Sequence, residues 1–265
     1  MNTTVIARSK ATKQSSSGTL PPDQVRGRDD GYSVLPIYSV TPFTMLDFPE
    51  RTACIIWFSG CNMRCSYCHN PQIVKGKGRG NIGQVLDFLQ KRAGLLDGVV
   101  LSGCEASVDP GLPDFVRTLK KMGYKIKLDT NGTRPEVVKD FLDHGLLDYV
   151  ALDYKAPPDK FKAVTGITKF NEFSQTLSLL CGQNRTPFEV RTTVHTALMD
   201  EKDIDAIIRD LDERGYTGTY HVQNFRADND RPTLGLLQQK KRTLNTKTLA
   251  TAKNFKTAFR KFEAS

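Results

Sequence analysis

The chain lacks several features that would assign it to a membrane, secreted or disulfide-bonded class. None of the apolar runs in its 265 residues approaches the roughly 20 residues that a membrane-spanning helix needs. No apolar block follows the basic residues near its start, so the sequence predicts no secretory signal. Six cysteines in a chain of this length are too few for a disulfide framework. We therefore expect a cytoplasmic protein that has no membrane partner.

Acidic residues are scarce at the two ends of the chain, and this accounts for the formal net charge of +9. Residues 1–35 carry five Lys or Arg against three Asp or Glu, and residues 240–265 carry eight against one. Residues 36–239 carry 25 of each sign and are neutral. Because a surface that binds nucleic acid needs a concentration of basic side chains, we expect no nucleic acid partner.

The two terminal segments also differ in composition from the body of the chain. Residues 1–35 are rich in Ser, Thr, Gln and Gly and have no apolar period, which predicts a disordered or spurious N-terminal extension. Residues 240–265 are predicted to form a basic amphipathic helix. The apolar stripe of this helix comprises Leu249, Ala252, Phe255, Phe259 and Phe262. We favour a helix that packs on the domain, and the alternative is a helix that docks on an acidic partner.

Between these segments the chain has a regular alternation of apolar strands and amphipathic helices. Strands are predicted at 53–60, 98–103, 124–132, 147–155, 188–195 and 218–225. Helices are predicted at 82–93, 113–123, 133–145, 170–182 and 200–215. Six such units favour a parallel sheet with right-handed crossovers. We expect residues 36–239 to form a single α/β domain whose sheet curves into an incomplete (β/α)6 barrel.

Three cysteines stand together directly after the first predicted strand, in the sequence GCNMRCSYCHNP. In parallel α/β folds, the loops at the carboxyl ends of the strands carry the chemistry. The spacing of Cys61, Cys65 and Cys68 lets one short loop bind three corners of a [4Fe–4S] cluster, which leaves the fourth iron open to another ligand. The alternative is a structural zinc site in which His69 or Cys104 supplies the fourth ligand.

The segment CNMRCSYC, with Tyr67 before its last cysteine, resembles the signature of the radical S-adenosylmethionine (SAM) enzymes. Other features of that family follow in order over roughly residues 36–226. The resemblance implies a partial barrel of the radical SAM type and a [4Fe–4S] cluster on Cys61, Cys65 and Cys68. It also implies that the amino and carboxylate groups of S-adenosylmethionine bind the open iron, with Tyr67 beside the cofactor.

The resemblance implies further cofactor-binding residues after the second predicted strand. The segment SGCE takes the place of the family's Gly-Gly-Glu stretch, so Ser102, Gly103 and Glu105 are expected to hold the methionine amino group. Cys104 departs from the family pattern because it replaces a glycine. If the backbone has a positive φ at this position, a Cβ atom costs about 1 kcal/mol or more.

The segments LDTNG and ALDYK end the next two strands and resemble segments that line the cofactor in glycyl-radical activases. The cofactor-binding residues implied by these segments and by the last two strands are Asp129, Thr130, Asp153, Lys155, Arg191 and His221. A monovalent cation beside the carboxylates is also implied. For Asp129 alone, simple turn chemistry is an equal alternative, since Asp-Thr-Asn-Gly forms a good turn without a ligand.

The cysteine region, KIKLDTNGTRPEVV and DYVALDYKAP are similar to the activating proteins of anaerobic ribonucleoside-triphosphate reductases. That resemblance implies an oxidoreductase in which a reduced cluster passes one electron to the sulfonium of S-adenosylmethionine. A 5′-deoxyadenosyl radical then takes a hydrogen atom from a glycine of the reductase. A flavodoxin or ferredoxin is the implied electron donor.

Two alternatives to this function remain open at the level of sequence. One is the activase of another glycyl-radical enzyme, such as a formate-lyase type, or another radical SAM enzyme. The other belongs to a different class of protein and is a non-enzymatic iron–sulfur or zinc module. Cleavage of S-adenosylmethionine under reduction separates the enzymes from such a module.

Overall fold

The structure is a computed structural model that describes residues 35–262 apart from 77, 79, 227–232 and 236–241. Within these ranges, eight strands form one sheet in which they lie side by side in chain order. Strands β2 to β8 are parallel to their neighbours, and β1 is antiparallel to β2. The strands are β1 (Ile37–Thr44), β2 (Ala53–Phe58), β3 (Gly98–Gly103), β4 (Lys125–Thr130), β5 (Tyr149–Asp153), β6 (Phe188–Val194), β7 (Thr219–Asn224) and β8 (Lys256–Arg260).

The helices lie between the parallel strands. They are α1 (Pro71–Lys75), α2 (Ile82–Gln90), α3 (Leu112–Lys121), α4 (Pro135–Asp143), α5 (Pro158–Thr165), α6 (Phe170–Cys181) and α7 (Glu201–Glu213). Local sequence explains their starts, since Pro stands in the first turn of α3, α4 and α5. At α7, Asp200 and Asp203 form a capping box. None of the described helices is both long and apolar enough to cross a membrane.

The predicted α/β domain with a parallel sheet is confirmed. The six predicted strands are β2 to β7, and the five predicted helices are α2, α3, α4, α6 and α7. Strands β1 and β8 extend the sheet at its two edges and were not predicted, and neither were α1 and α5. The predicted N-terminal extension lies outside the described residues except for Leu35, which is fully buried.

Successive residues of each strand point to opposite faces of the sheet. One face packs against the helices and contributes Ile56, Leu101 and Leu128 to the main core. The opposite face, here called the inner face, holds a small apolar cluster of Phe48, Ala53, Ile55 and Val100, with Trp57 and Tyr149 packed on it. Towards the carboxyl ends of the strands, the same face carries polar and charged side chains. This polar part of the inner face is where the fold places a site.

The predicted C-terminal helix is wrong for the described residues 242–262. They form a short 3₁₀ turn at Thr246–Thr248 and then β8, which pairs with β7. Several backbone N–H groups in this stretch donate to carboxylates of α7: Ala250 donates to Asp205, and Lys253 donates to Asp212. The apolar residues that suggested a helical stripe still face the core, except that Phe259 is 42% exposed.

Candidate cluster and cofactor site

The cysteine loop, residues 59–70, joins β2 to α1 at the carboxyl edge of the sheet. Its three cysteines, Cys61, Cys65 and Cys68, are free thiols, of which Cys65 is buried and the others are partly buried. The N–H of Cys68 donates to the carbonyl of Cys65 at 3.0 Å, and the guanidinium of Arg64 donates to the carbonyl of Cys61 at 2.5 Å. These hydrogen bonds within the loop hold its three thiols at one end of β2.

Burial disfavours the thiolate form of two cysteines in this loop, Cys61 and Cys65. Burial raises the pKa of Cys61 and raises that of Cys65 to about 11, although the nearby Lys155 ammonium acts in the opposite direction on both. Iron binds the thiolate form. Binding of iron therefore releases protons from these two cysteines.

The donor set fits a cluster better than a single metal ion. In the part of the chain that the structure describes, no three His, Cys, Asp or Glu side chains converge on one metal position. Zinc needs its ligands within about 2.0–2.3 Å of one ion, whereas the cysteines of a [4Fe–4S] cluster bind separate iron atoms. His69, the suggested zinc ligand, instead stacks on Phe225 with ring centroids 4.8 Å apart.

Tyr67 lies within this loop and has an unsatisfied polar group. Its side chain is buried, and its hydroxyl has no hydrogen-bond partner among the described residues. Its ring contacts Phe225 edge-on, with centroids 6.5 Å apart. Buried hydroxyl groups are normally paired, so this orphaned group suits a position next to a bound ligand.

The turn after β3 accommodates the cysteine that departs from the family pattern. Gly103 has φ +110°, and a Cβ atom there would lie 2.6 Å from the carbonyl oxygen of Phe58, so only glycine fits. Cys104 is not among the described residues with positive φ, and its N–H donates to the same carbonyl at 3.0 Å. Cys104 therefore causes no strain of the kind considered from the sequence. Burial, together with Cys61 and Cys68, raises its pKa to about 12.

Glu105 and Thr130 form a buried contact between the ends of β3 and β4. The carboxylate of Glu105 accepts hydrogen bonds from the hydroxyl of Thr130 at 2.8 Å, the N–H of Asn131 at 2.5 Å and the hydroxyl of Ser107 at 2.5 Å. Burial raises the pKa of Glu105, and these donors act against that rise. A direct role of this carboxylate at a cofactor stays a prediction, because protein donors already surround it.

Thr130 is placed differently from the sequence expectation. We expected it to line the same pocket as Asp129, but neighbouring residues of a strand point to opposite faces. Asp129 lies on the inner face, where its carboxylate accepts a hydrogen bond from Ser102 at 2.8 Å. Thr130 instead points to the helix-covered side and is buried beside Glu105.

The remaining predicted charges meet on the inner face as one network. Arg191 on β6 donates to Asp153 on β5 at 3.0 Å, and its guanidinium lies 3.6 Å from Asp129 on β4. Lys155 binds the second oxygen of Asp153 at 3.0 Å. Burial alone would raise the pKa of Asp153, but Arg191 and Lys155 outweigh it and lower the value to about 2. The network therefore holds an ionised carboxylate between two cations.

His221 lies at the β7 end of this network. Its Nε2 atom lies 3.0 Å from Glu189 on β6 and 3.0 Å from the guanidinium of Arg260 on β8. Its Nδ1 atom is buried and has no hydrogen-bond partner among the described residues. Burial would raise the pKa of Glu189, but His221 and Arg191 lower it. A ligand on the inner face could use the free Nδ1.

Sequence reasoning missed three charged residues of this network, which are Lys127, Glu189 and Arg260. Lys127 stands two residues before Asp129, and Glu189 stands two residues before Arg191, so strand alternation places each on the same face as a predicted site residue. That signal was present in the sequence. Arg260 could not be found in this way, because its segment was assigned to a helix.

Comparison with known proteins tests which family shares this arrangement. The sequence profile described as the radical SAM superfamily matches residues 55–214. The matched stretch contains the cysteine loop and the predicted site residues of β3 to β6. The chain belongs to the radical SAM superfamily. Enzymes of this family use a [4Fe–4S] cluster and S-adenosylmethionine.

Two relatives of this radical SAM chain narrow its family. A Methanocaldococcus jannaschii protein named as an activating enzyme of glycyl-radical enzymes is 32% identical over 198 residues, which covers 71% of this chain and 79% of that protein. A pyruvate formate-lyase-activating enzyme from Clostridium pasteurianum is 32% identical over 148 residues, covering 52% and 60%. Within the superfamily, the chain stands with the enzymes that activate glycyl-radical enzymes.

Solved structures share the fold of this radical SAM chain. Streptococcus suis SuiB, bound to its precursor peptide SuiA, superposes with a TM-score of 0.58 at 11% identity, covering 77% of this chain and 48% of SuiB. The enzyme anSMEcpe with bound AdoMet gives a TM-score of 0.52 at 17% identity, covering 64% and 51%. The chain spans about half the length of these two structures, and at such identities they support the fold alone.

Proposed function

We propose that the chain activates an anaerobic ribonucleoside-triphosphate reductase by generating a glycyl radical on it. The observation that carries this proposal is the placement of LDTNG and ALDYK, two of the segments similar to activating proteins of such reductases. They bring Asp129, Asp153 and Lys155 to the carboxyl edge of the sheet, where the cysteine loop also lies. An electron donor such as a flavodoxin or ferredoxin and a cytoplasmic location are parts of the same proposal.

Cys61, Cys65 and Cys68 would hold three irons of a [4Fe–4S] cluster, and the inner face beside them would hold S-adenosylmethionine. When bound, these groups supply the one-electron reductive cleavage that generates a radical. The protein's part is to bind and orient. Lys155 and Arg191 offer N–H donors that suit the carboxylate of a bound amino acid, and the ionised Asp153 keeps both cations in place.

The order of the strands in the sheet supports a protein substrate. Strand order is linear from β1 to β8, and within the described residues these two edge strands are not paired with each other. The proposal places the opening to the inner face at the carboxyl edge of this unclosed sheet. A glycine-bearing loop of a large partner could enter there.

A formate-lyase type of partner is the second candidate, because the C. pasteurianum relative is named for that activity. The test uses anoxic protein with a reconstituted cluster, a reductant and S-adenosylmethionine. We expect formation of 5′-deoxyadenosine and, with an anaerobic reductase added, the electron paramagnetic resonance doublet of a glycyl radical. A doublet on formate lyase but not on the reductase would favour the second candidate. No 5′-deoxyadenosine under any condition would overturn both.

A further inference from the structure

A lysine is buried in the inner face and has no role in the function described so far. In strand register, Lys127 on β4 stands between Val100 on β3 and Tyr149 on β5, which belong to or pack on the small apolar cluster. Its side chain is only 3% exposed. A charged group is rarely buried to this degree unless it is paired.

The partner of this lysine is one of the two carboxylates predicted at the cofactor. The Lys127 ammonium lies 2.5 Å from Asp129, which is two residues further along the same face. The other oxygen of Asp129 accepts a hydrogen bond from Ser102 and lies 3.6 Å from Arg191. Asp129 is therefore held on several sides by groups of the protein itself.

Side-chain cations offset the carboxylates in this part of the inner face without a metal ion. The carboxylates are Asp129, Asp153 and Glu189, and the cations are Lys127, Lys155, Arg191 and Arg260. Hard cations bind where oxygen ligands converge, and a positive charge already beside those oxygens repels a further cation. Here every carboxylate already has a side-chain cation within 4 Å. The residues present do not fit the monovalent cation that the sequence resemblance implied.

We propose that the ammonium of Lys127 is a built-in cation that does the work of a bound alkali ion at this site. It holds the carboxylate of Asp129 in one orientation, so that the pocket is ready for S-adenosylmethionine without an added metal cation. Lys127 is thus a positioning residue that acts through Asp129. The ligand named here rests on the proposed function, whereas the cation balance rests on the structure alone.

The test compares three variants with the wild-type holoenzyme. Lys127→Ala removes the charge and leaves space for an ion, and Lys127→Met removes the charge but fills the space. Lys125→Ala is the matched control, because Lys125 lies on the same face of the same strand, is 46% exposed and binds Asp148 away from the site. The dissociation constant of S-adenosylmethionine is measured by equilibrium dialysis in tetramethylammonium, sodium and potassium chloride at equal ionic strength.

We expect the wild type and Lys125→Ala to bind equally well in all three salts. Lys127→Ala should bind at least about tenfold more weakly in tetramethylammonium and recover in sodium or potassium chloride. Lys127→Met should be weak in every salt. The proposal is overturned if potassium or sodium tightens wild-type binding several-fold, or if Lys127→Ala binds like the wild type in tetramethylammonium.

A second measurement does not depend on the ligand. The melting temperature of each protein without S-adenosylmethionine is compared in the same three salts. Lys127→Ala should melt at a higher temperature in sodium or potassium chloride than in tetramethylammonium, while Lys127→Met should not respond. If the wild type binds no S-adenosylmethionine at all, the proposed function fails, and the melting temperatures still decide whether Lys127 occupies a cation position.

Discussion

Two carboxylates at the carboxyl edge of the sheet, Glu105 and Asp153, differ in which groups of the protein surround them. Glu105 is surrounded by hydroxyl and N–H donors of the protein, and burial raises its pKa. Asp153 is held between Arg191 and Lys155, and its pKa is lowered. Glu105 therefore connects the segments that follow β3 and β4. Asp153 keeps the side chains of Arg191 and Lys155 in position.

Single cysteines should differ in their effect on iron content. Cys65→Ala is expected to lose most of the iron bound per chain, because it removes one of three thiols that the cysteine loop offers. Cys104→Ala is the matched control, since that thiol lies outside the loop, and it should retain its iron. The iron content per chain and the absorbance of the cluster are measured for both variants. Full cluster content in Cys65→Ala would contradict the assignment.

The lowered pKa of Asp153 predicts a pH dependence of stability. Because the folded-state pKa, about 2, lies below the unfolded-state value of about 3.9, the ionised group stabilises the folded protein above about pH 4. That contribution, roughly 2 kcal/mol, is lost as the pH falls through about 2. Denaturant unfolding between pH 5 and pH 2 measures it.

The variant Asp153→Asn isolates this contribution. Its free energy of unfolding should be lower than that of the wild type at pH 5, and it should fall less steeply between pH 4 and pH 2. Asp114→Asn is the control, because that side chain is 90% exposed. An Asp153→Asn protein with the full wild-type pH dependence would show that other carboxylates cause it.

At the scale of elements, helix α7 holds the chain that follows it. Its acidic side chains Glu201, Asp205 and Asp212 accept hydrogen bonds from backbone N–H groups of residues 245–254. Glu201 also forms a bidentate pair with Arg242. This attachment brings β8 to the edge of the sheet.

Asp212→Asn should loosen this attachment without altering the rest of the fold. Asp212 accepts from the N–H groups of both Lys253 and Asn254, and losing a charged acceptor costs about 1–3 kcal/mol of local stability. Hydrogen exchange of these amides and of β8 should become faster. The neighbouring variant Glu213→Gln should exchange like the wild type. Unchanged protection in Asp212→Asn would show that β8 is held by its pairing with β7 alone.

The sequence predicted the helices and strands that have a clear hydrophobic pattern and clear start and stop signals. Strands such as Ala53–Phe58 are continuous apolar runs, and helices such as Glu201–Glu213 have caps and a clear apolar stripe. The helix Pro71–Lys75 is too short to show a period. The tail was misassigned because its apolar spacing suits a helix, whereas the carboxylates that bind its backbone lie on a distant helix.

The candidate site was predicted only in part for a similar reason. Motifs identified residues next to strand ends, such as Asp129 and Asp153. They could not show which of them point to the same face or which are already paired. Thr130 directly follows Asp129 but points to the opposite face of the sheet. Lys127 stands two residues before Asp129, lies on the same face and contacts its carboxylate.

At the scale of the whole molecule, residues 1–34 of the predicted extension should be dispensable, whereas the buried Leu35 should not. A chain that begins at Leu35 is expected to fold and bind iron like the full chain. A chain that begins at Ile37 should melt roughly 5 °C or more lower, because it lacks the buried Leu35 and the carbonyl of Pro36 that accepts from Ser59 at 2.8 Å. Melting curves of the two shortened chains test this prediction. A large drop in the melting temperature of the chain that begins at Leu35 would contradict it.

The linear strand order also sets the sequence of events during synthesis. Each strand pairs with the one made just before it, so the sheet can grow on the ribosome as the chain emerges from its N-terminal end. The cysteine loop is complete early, when β2 and α1 have formed. Arg260 is translated after the other charged residues of the inner face, so this face acquires its β8 member last. A nascent chain therefore exposes its thiols long before the site beside them is finished.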